Sequence, residues 1–370
     1  MSLPRVYTVG TSNIASALAF DIAKIPTQPT IPNVVVLLQD SKLLTKFTDQ
    51  NSKLTVFRKT PETRQFMASC APPKLATGAI TAIDNLIVAE ATNKSFTMTF
   101  QKYKKSLNSN SNVLIVNPGY GLLEFINRYI WNKDEERPKL FIANVDNDHG
   151  TIINSKGFTL RINKNPIPIS ITKVPDRIQN YTYEKTLKEE WTETFPLMQL
   201  LGKLKEPTKS HHIFQPSFHQ YGVFMLIKSE RLLIDSCVEP LAALFESQRY
   251  GELLKSPFFQ QLVDELLTEQ INILNICYPF LRSTPHFDTV FNKDILKKVI
   301  HKHIYDRRFM RPRMLENSKA LNKTNINQLT GYFISLAKYK KIPVPKNEMV
   351  FNLVRGKIQS TKDRALFWSL

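Results

Sequence analysis

Cysteine is scarce in this chain of 370 residues. The three present, Cys70, Cys237 and Cys277, show neither a CxxC nor a Cys/His spacing, and an odd count argues against a disulfide framework, so a reducing compartment is expected. Close histidine pairs are confined to His211-His212 and His301-x-His303. Residues two apart on a helix point to different faces, so these read as ordinary surface or core histidines and no metal site is expected. Long hydrophobic runs are missing as well: none reaches the roughly 18 residues of a membrane span, no secretory signal peptide opens the chain, and a soluble protein is expected. Acidic residues are the last shortage. Thirty-two Asp and Glu stand against fifty Lys and Arg, a net charge of +18, which favours a polyanionic partner: nucleic acid, a ribosome surface or an anionic membrane face.

What is present divides the chain. With 42% hydrophobic residues it can bury two ordinary cores, so two domains are expected, residues 1–220 and 221–370. Residues 5–10 read as a strand, and 13–24, with Ile14, Leu18 and Ile22 on one face, as an amphipathic helix. After a connector punctuated by Pro26, Pro29 and Pro32, the continuous apolar run 34–38 reads as a strand buried on both faces of a parallel sheet. Further strands are expected at 83–89 and from 113, the latter leading through a glycine-bearing turn into a helix near Leu122. Residues 158–174 read as edge strands interrupted by Pro166 and Pro168, and 186–205 as a helix. The segment 206–221 reads as the interdomain crossover. Beyond it the chain is almost entirely helical, at 258–278, 293–306, 326–341 and 347–357, with breaks marked by Pro279, Pro285, Pro343 and Pro345. An alternating βα half followed by an all-helical half means an α/β fold: a Rossmann-like parallel-sheet domain and a separate helical domain.

One helix organises the second half. Over 231–244, Leu233, Cys237, Leu241 and Phe245 form an apolar ridge flanked by Ile234 and Val238, while Arg231, Asp235 and Glu239 recur every four residues along one stripe. Pro240 is expected to kink the helix just past it. The stripe has two readings: an Arg-Asp ion pair facing solvent, or the wall of a cleft.

Taken together these features resemble the ketopantoate reductase family. The first turn, Gly10-Thr-Ser12-Asn-Ile-Ala15, stands where its dinucleotide fingerprint would be, and Asn117, Gly119 and Gly121 are similar to its Asn-Gly-x-Gly element. The stripe before Pro240-Leu241, the segment 323–337 with Thr324, Ile326 and Gly331, and Ile342-Pro-Val-Pro-Lys-Asn347 follow the same register. The resemblance implies a Lys, an Asn and a second Asn at the positions of Arg231, Asp235 and Glu239, a substrate-holding Glu at Asn325, and Lys-Ala at Glu90-Ala91. Every one of these chemical positions is substituted. Ser12 puts a side chain where the pyrophosphate would approach, Gln39 and Asp40 offer no cation to the extra phosphate of NADPH, and an arginine with pKa above about 12 is a poor general acid. A pseudoenzyme without cofactor, carrying a vestigial NADPH site at Gly10, Ser12 and Ala15, is therefore expected.

Several stretches resemble one fungal branch of this fold, the mitochondrial translational activators of cytochrome b mRNA: Pro4-Arg-Val-Tyr7, Arg64 to Cys70, Asp84 to Val88, Glu239-Pro-Leu241, and Thr324-Asn-Ile-Asn327. That resemblance implies a non-enzymatic protein of the mitochondrial matrix side, acting through the 5′ untranslated leader and the mitochondrial ribosome. Other translational activators are implied as partners, with peripheral inner-membrane association. The first twenty residues contain no acid, yet a strand begins by Arg5, so an internal or uncleaved import signal is expected. An active NADPH-dependent reductase and a structural ribosome component are the competing readings. For RNA or ribosome contact the prime candidate is Arg307-Arg308-Phe309-Met-Arg311-Pro-Arg313, since arginine forks pair with phosphate and an exposed aromatic can stack on a base. Lys102, Lys104 and Lys105, and Lys338, Lys340 and Lys341, repeat the pattern; lysines at a helix end also simply complement the helix dipole.

Overall fold

The computed structural model describes residues 3–145, 152–154, 157–163, 166–205 and 212–367. Their contacts divide into two units, Met1–Phe224 and Met225–Leu370.

The first unit is built on β1 (Val6–Val9), α1 (Asn13–Ala23), β2 (Val34–Leu37), α2 (Ser41–Asp49), β3 (Lys53–Phe57), β4 (Pro61–Gln65), β5 (Met67–Ser69), β6 (Asn85–Val88) and α3 (Asn93–Tyr103). It continues with β7 (Asn112–Val116), α4 (Leu122–Phe125), β8 (Lys139–Val145), β9 (Ile152–Asn154), β10 (Thr159–Ile162), β11 (Ile167–Lys173), α5 (Tyr183–Leu187), α6 (Trp191–Thr194), α7 (Pro196–Gly202) and β12 (Phe214–Phe218). Eight strands form one sheet in the order β12-β11-β8-β7-β6-β1-β2-β5, parallel throughout except between β8 and β11. β1, β2, β6 and β7 are buried at every residue, as strands covered on both faces must be. A second sheet, β4-β3-β10-β9, adjoins them. Asp21 on α1 is fully buried, and its carboxylate accepts the backbone N–H groups of Ile213 and Phe214 at 2.8 Å each, tying the first helix to the last strand.

Several expectations change here. Residues 158–174 are not edge strands of one sheet: β10 belongs to the second sheet, and β11 lies inside the first, between β8 and β12. In the β11–β12 pairing Pro168 stands opposite Gln215, and the neighbouring Ile167 supplies the donor to the Ile213 carbonyl, so the proline takes no donor from that ladder. The helix expected at 186–205 is three short pieces, since Phe195 is held extended ahead of Pro196, which restarts the helix at its first position. The crossover segment holds β12; its residues 206–211, including His211, lie outside the described residues.

The second unit contains the bulk of α8 (Tyr221–Leu244), followed by α9 (Pro257–Cys277), α10 (Phe287–Val290), α11 (Lys293–Asp306), α12 (Arg313–Lys319), α13 (Thr330–Lys340) and α14 (Pro345–Phe367). Helix α8 starts ten residues before Arg231 and runs on through Pro240 to Leu244. Its apolar ridge is buried at Leu233, Cys237 and Leu241, whereas Phe245, just past the helix, is 41% exposed. The helix expected at 326–341 begins only at Thr330, because the Asn325 carbonyl closes a turn on Gln328 and Leu329. Pro345 opens α14 rather than breaking a helix. No helix among the described residues is long and apolar enough to cross a membrane.

Candidate functional site

The turn between β1 and α1 is where a dinucleotide fold would receive its cofactor. Gly10 is required for shape: its φ is 151°, and an added Cβ would lie 1.9 Å from the Ala89 carbonyl oxygen. Three donors of the turn are already engaged. Thr11 donates its N–H to a Glu90 carboxylate oxygen at 3.0 Å and its hydroxyl to the same oxygen at 2.8 Å, while Thr99 Oγ1 donates to the other at 2.6 Å. The Ser12 N–H is spent on the Ala89 carbonyl at 3.2 Å; the Ser12 hydroxyl accepts from Ile14 N–H as the N-cap of α1, and Ala15 N–H returns to the Ser12 carbonyl. Glu90 is only 6% exposed. A carboxylate of the protein thus takes the hydrogen bonds that a phosphate would need, so these residues do not fit a dinucleotide pyrophosphate.

Beside the turn lies a cavity of about 520 Å3, with Ser12, Ser16, Leu38, Gln39, Lys46 and Phe158 among its lining residues. Asp40 turns to α2 as its N-cap, accepting from Leu43 N–H at 2.8 Å. The end of β2 is less bare of cations than its own sequence implies. Lys46 reaches the cavity from α2, and Lys102 on α3 donates to the Gln39 carbonyl at 3.0 Å. Lys102 was expected among the outward contacts, and no spacing along the chain relates it to a residue 63 positions away.

Asn117 sits at φ 52°, and its side-chain oxygen accepts from Val145 N–H at 2.7 Å, which locks the ends of β7 and β8 together. Gly119 is crowded by Asn93, whose amide nitrogen donates to the Tyr120 carbonyl. This element therefore serves the turn itself.

In the helical unit the α8 stripe divides. Arg231 Nε pairs with Asp235 at 2.9 Å, both side chains partly exposed. Burial pushes the Asp235 carboxyl up from its ordinary value, against the pull of Arg231 and, more weakly, of Arg307 and Arg313. Glu239 is buried. One of its oxygens accepts the Tyr250 hydroxyl and the other the Met314 N–H at 2.8 Å. Burial raises its pKa, and those two hydrogen bonds oppose the rise. Asn325 is exposed on the turn before α13.

The arginines lie between α11 and α12. Arg307 hydrogen-bonds the His303 ring, Arg311 pairs with Glu316 at 3.7 Å, and Arg313 opens α12. Arg308 stacks on two rings, and Phe309 is 70% exposed. Of the lysines, Lys104 and Lys105 form an exposed turn after α3; Lys338 and Lys340 end α13, and Lys341 caps it at φ 56°. Tyr339 is 75% exposed, with the Lys340 ammonium 5.6 Å from the centre of its ring. Among the described residues no group of three His, Cys, Asp or Glu side chains is disposed to hold a metal. Tyr250, the residue that joins Glu239 to the arginine-bearing segment, was not singled out, because it lies eleven positions past Glu239 in an unpatterned turn.

The fold and the helical unit are of the ketopantoate reductase class. Residues 223–358 match the family described as ketopantoate reductase PanE/ApbA, C-terminal. A crystal structure of a PanE/ApbA family ketopantoate reductase from Ralstonia eutropha JMP134 superposes with a TM-score of 0.64 at 12% identity, covering 96% of this chain and 99% of that one. The 2-dehydropantoate 2-reductase of Saccharomyces cerevisiae is 23% identical over 74% of this chain and 69% of its own. The cytochrome B translational activator CBS2 of the same yeast is 35% identical over 99% of this chain and 98% of its own length. The chain belongs to the family of that activator, a divergent branch of the reductase fold.

Proposed function

We propose that this protein is a non-enzymatic mitochondrial translation factor that activates synthesis of cytochrome b, acting on the matrix side through the 5′ untranslated leader of the mRNA and the mitochondrial ribosome. The observation that carries the reading is the end-to-end likeness to a cytochrome B translational activator. The geometry supports it by what it denies to a reductase. Glu90 holds the donors of the phosphate turn, Arg231 stands paired to Asp235 where a proton donor would be, and Glu239 is committed to Tyr250 and Met314. In this reading the protein carries no cofactor and works by binding, with the arginine-bearing segment 307–313 as its contact to RNA or ribosome, other translational activators as partners and peripheral association with the inner membrane.

Radioactive labelling of mitochondrial translation products in cells lacking the protein tests the reading. Cytochrome b alone is expected to disappear while its mRNA persists. Loss of all products together would instead make it a general ribosome component, and unchanged labelling would overturn the translational role.

A further inference from the structure

We propose that residues 305–311 form a stacking platform for an unpaired, single-stranded stretch of RNA, held in position by Glu239 of the former active-site helix. The inference deepens the translational reading and rests on it. The Arg308 guanidinium lies 4.5 Å from the centre of the Tyr305 ring and 4.6 Å from that of Phe309, and its Nη1 donates to the Tyr305 carbonyl at 3.1 Å. One cation thereby positions two aromatics that remain 52% and 70% exposed. Hydrophobic burial does not account for rings left this open. An arginine stacked on aromatics beside an open ring face suits a nucleotide: the base stacks on the ring and the phosphate meets the guanidinium. Arg311, 74% exposed at its side chain, extends the charge along the same turn.

The platform is built rigidly. Gly251 N–H donates to the Arg308 carbonyl and Tyr250 N–H to the Met310 carbonyl, each at 3.1 Å. A Cβ at Gly251 would lie 2.9 Å from the Arg308 Cβ, so glycine permits this approach. The Tyr250 side chain is buried and donates its hydroxyl to Glu239, whose other oxygen holds Met314 N–H on the far flank of the segment. Glu239 is therefore a positioning residue that brackets the arginine turn from both sides. A preformed platform loses little freedom on binding. A duplex keeps its bases stacked on each other, so the open ring face selects single strands.

The test uses the full-length chain with fluorescein-labelled oligouridylate, a duplex RNA of equal length, and vesicles of phosphatidylcholine and cardiolipin, across a salt series. Oligouridylate is expected to bind more tightly than duplex. Phe309→Ala should weaken that binding by at least about fivefold without changing its salt slope, because the ring carries no charge. Arg311→Gln should lower the slope by about one unit. Glu239→Ala should weaken binding, and Glu239→Gln, which keeps an acceptor oxygen, should restore part of it. Should Glu239→Ala fail to fold, the exposed Phe309 decides the matter alone. Unchanged oligouridylate affinity in Phe309→Ala, equal or better binding of duplex, or binding of vesicles only would each overturn the platform. If cytochrome b labelling is lost without the protein while Phe309→Ala binds as wild type, the translational reading stands and the platform falls. Normal labelling in the absence of the protein would remove the reading on which the platform rests.

Discussion

The β1–α1 turn of the sheet unit and the α8 stripe of the helical unit both depart from the reductase pattern, and their polar groups are satisfied in different ways. In the turn, a side chain from the end of a neighbouring strand has moved into the anion's place: Glu90 takes the Thr11 donors and Ser12 caps its own helix. These bonds run inward, among residues of the turn and the end of β6. On α8 the substituted residues point toward another part of the same unit, Glu239 to Tyr250 and Met314, and Asp235 into the field of Arg307 and Arg313. One set of polar groups is satisfied within its own turn, and the other supports a surface segment.

The comparison can be broken in three places, from the largest effect to the smallest. Gly10→Ala sets a Cβ against the Ala89 carbonyl in a backbone conformation that side chains avoid, and should destabilise the sheet unit by about 4 kcal/mol or more, read by thermal or urea unfolding. A near-neutral result would show that the turn is not held as described. Glu90→Ala removes a negative charge from the phosphate turn and frees the Thr11 N–H; NADPH affinity, followed by quenching of tryptophan fluorescence, should rise at least about tenfold over wild type. If it does not, the closure lies elsewhere, and Ser12 is the next residue to change. The third concerns pH. Burial raises the Glu239 pKa in the folded state, so the folded protein binds its proton more readily than the unfolded chain. The resulting stability is present below the ordinary value of 4.5 and is lost as pH rises through the elevated folded value. Wild type should therefore lose stability relative to Glu239→Gln as pH rises across that window, in paired thermal melts; a constant difference would mean that Glu239 ionises normally.

Much of the architecture was legible in the chain. The continuous apolar runs at β1, β2, β6 and β7 and the period of α8, α9 and α11 come from burial of whole faces, which leaves a pattern in composition. The second sheet leaves little trace in the sequence, because β4 is polar and exposed along most of its length and the alternation of β3 spans only five residues. Pro196 was visible, yet its effect on 186–205 was not, since a proline can open a helix as well as end one. At the site, the substitutions at Ser12, Glu90, Arg231, Asp235, Glu239 and Asn325 could be read off as departures from a pattern. What the residues at these positions bond to could not.

By itself the sequence determined the two-part layout, the net positive charge, the glycine at position 10 and the departures from the reductase pattern at its polar positions. Each of these depends on residue identity or on a period shorter than one helix. Only the tertiary structure decided that Glu90 meets Thr11 across 79 positions, that Lys102 reaches the end of β2, and that Glu239 grips the arginine segment 75 positions on through Met314. These are hydrogen bonds between residues brought together by the packing of separate elements. Spacing along the chain carries no record of such encounters, because the partner is chosen by the fold and not by the neighbouring sequence.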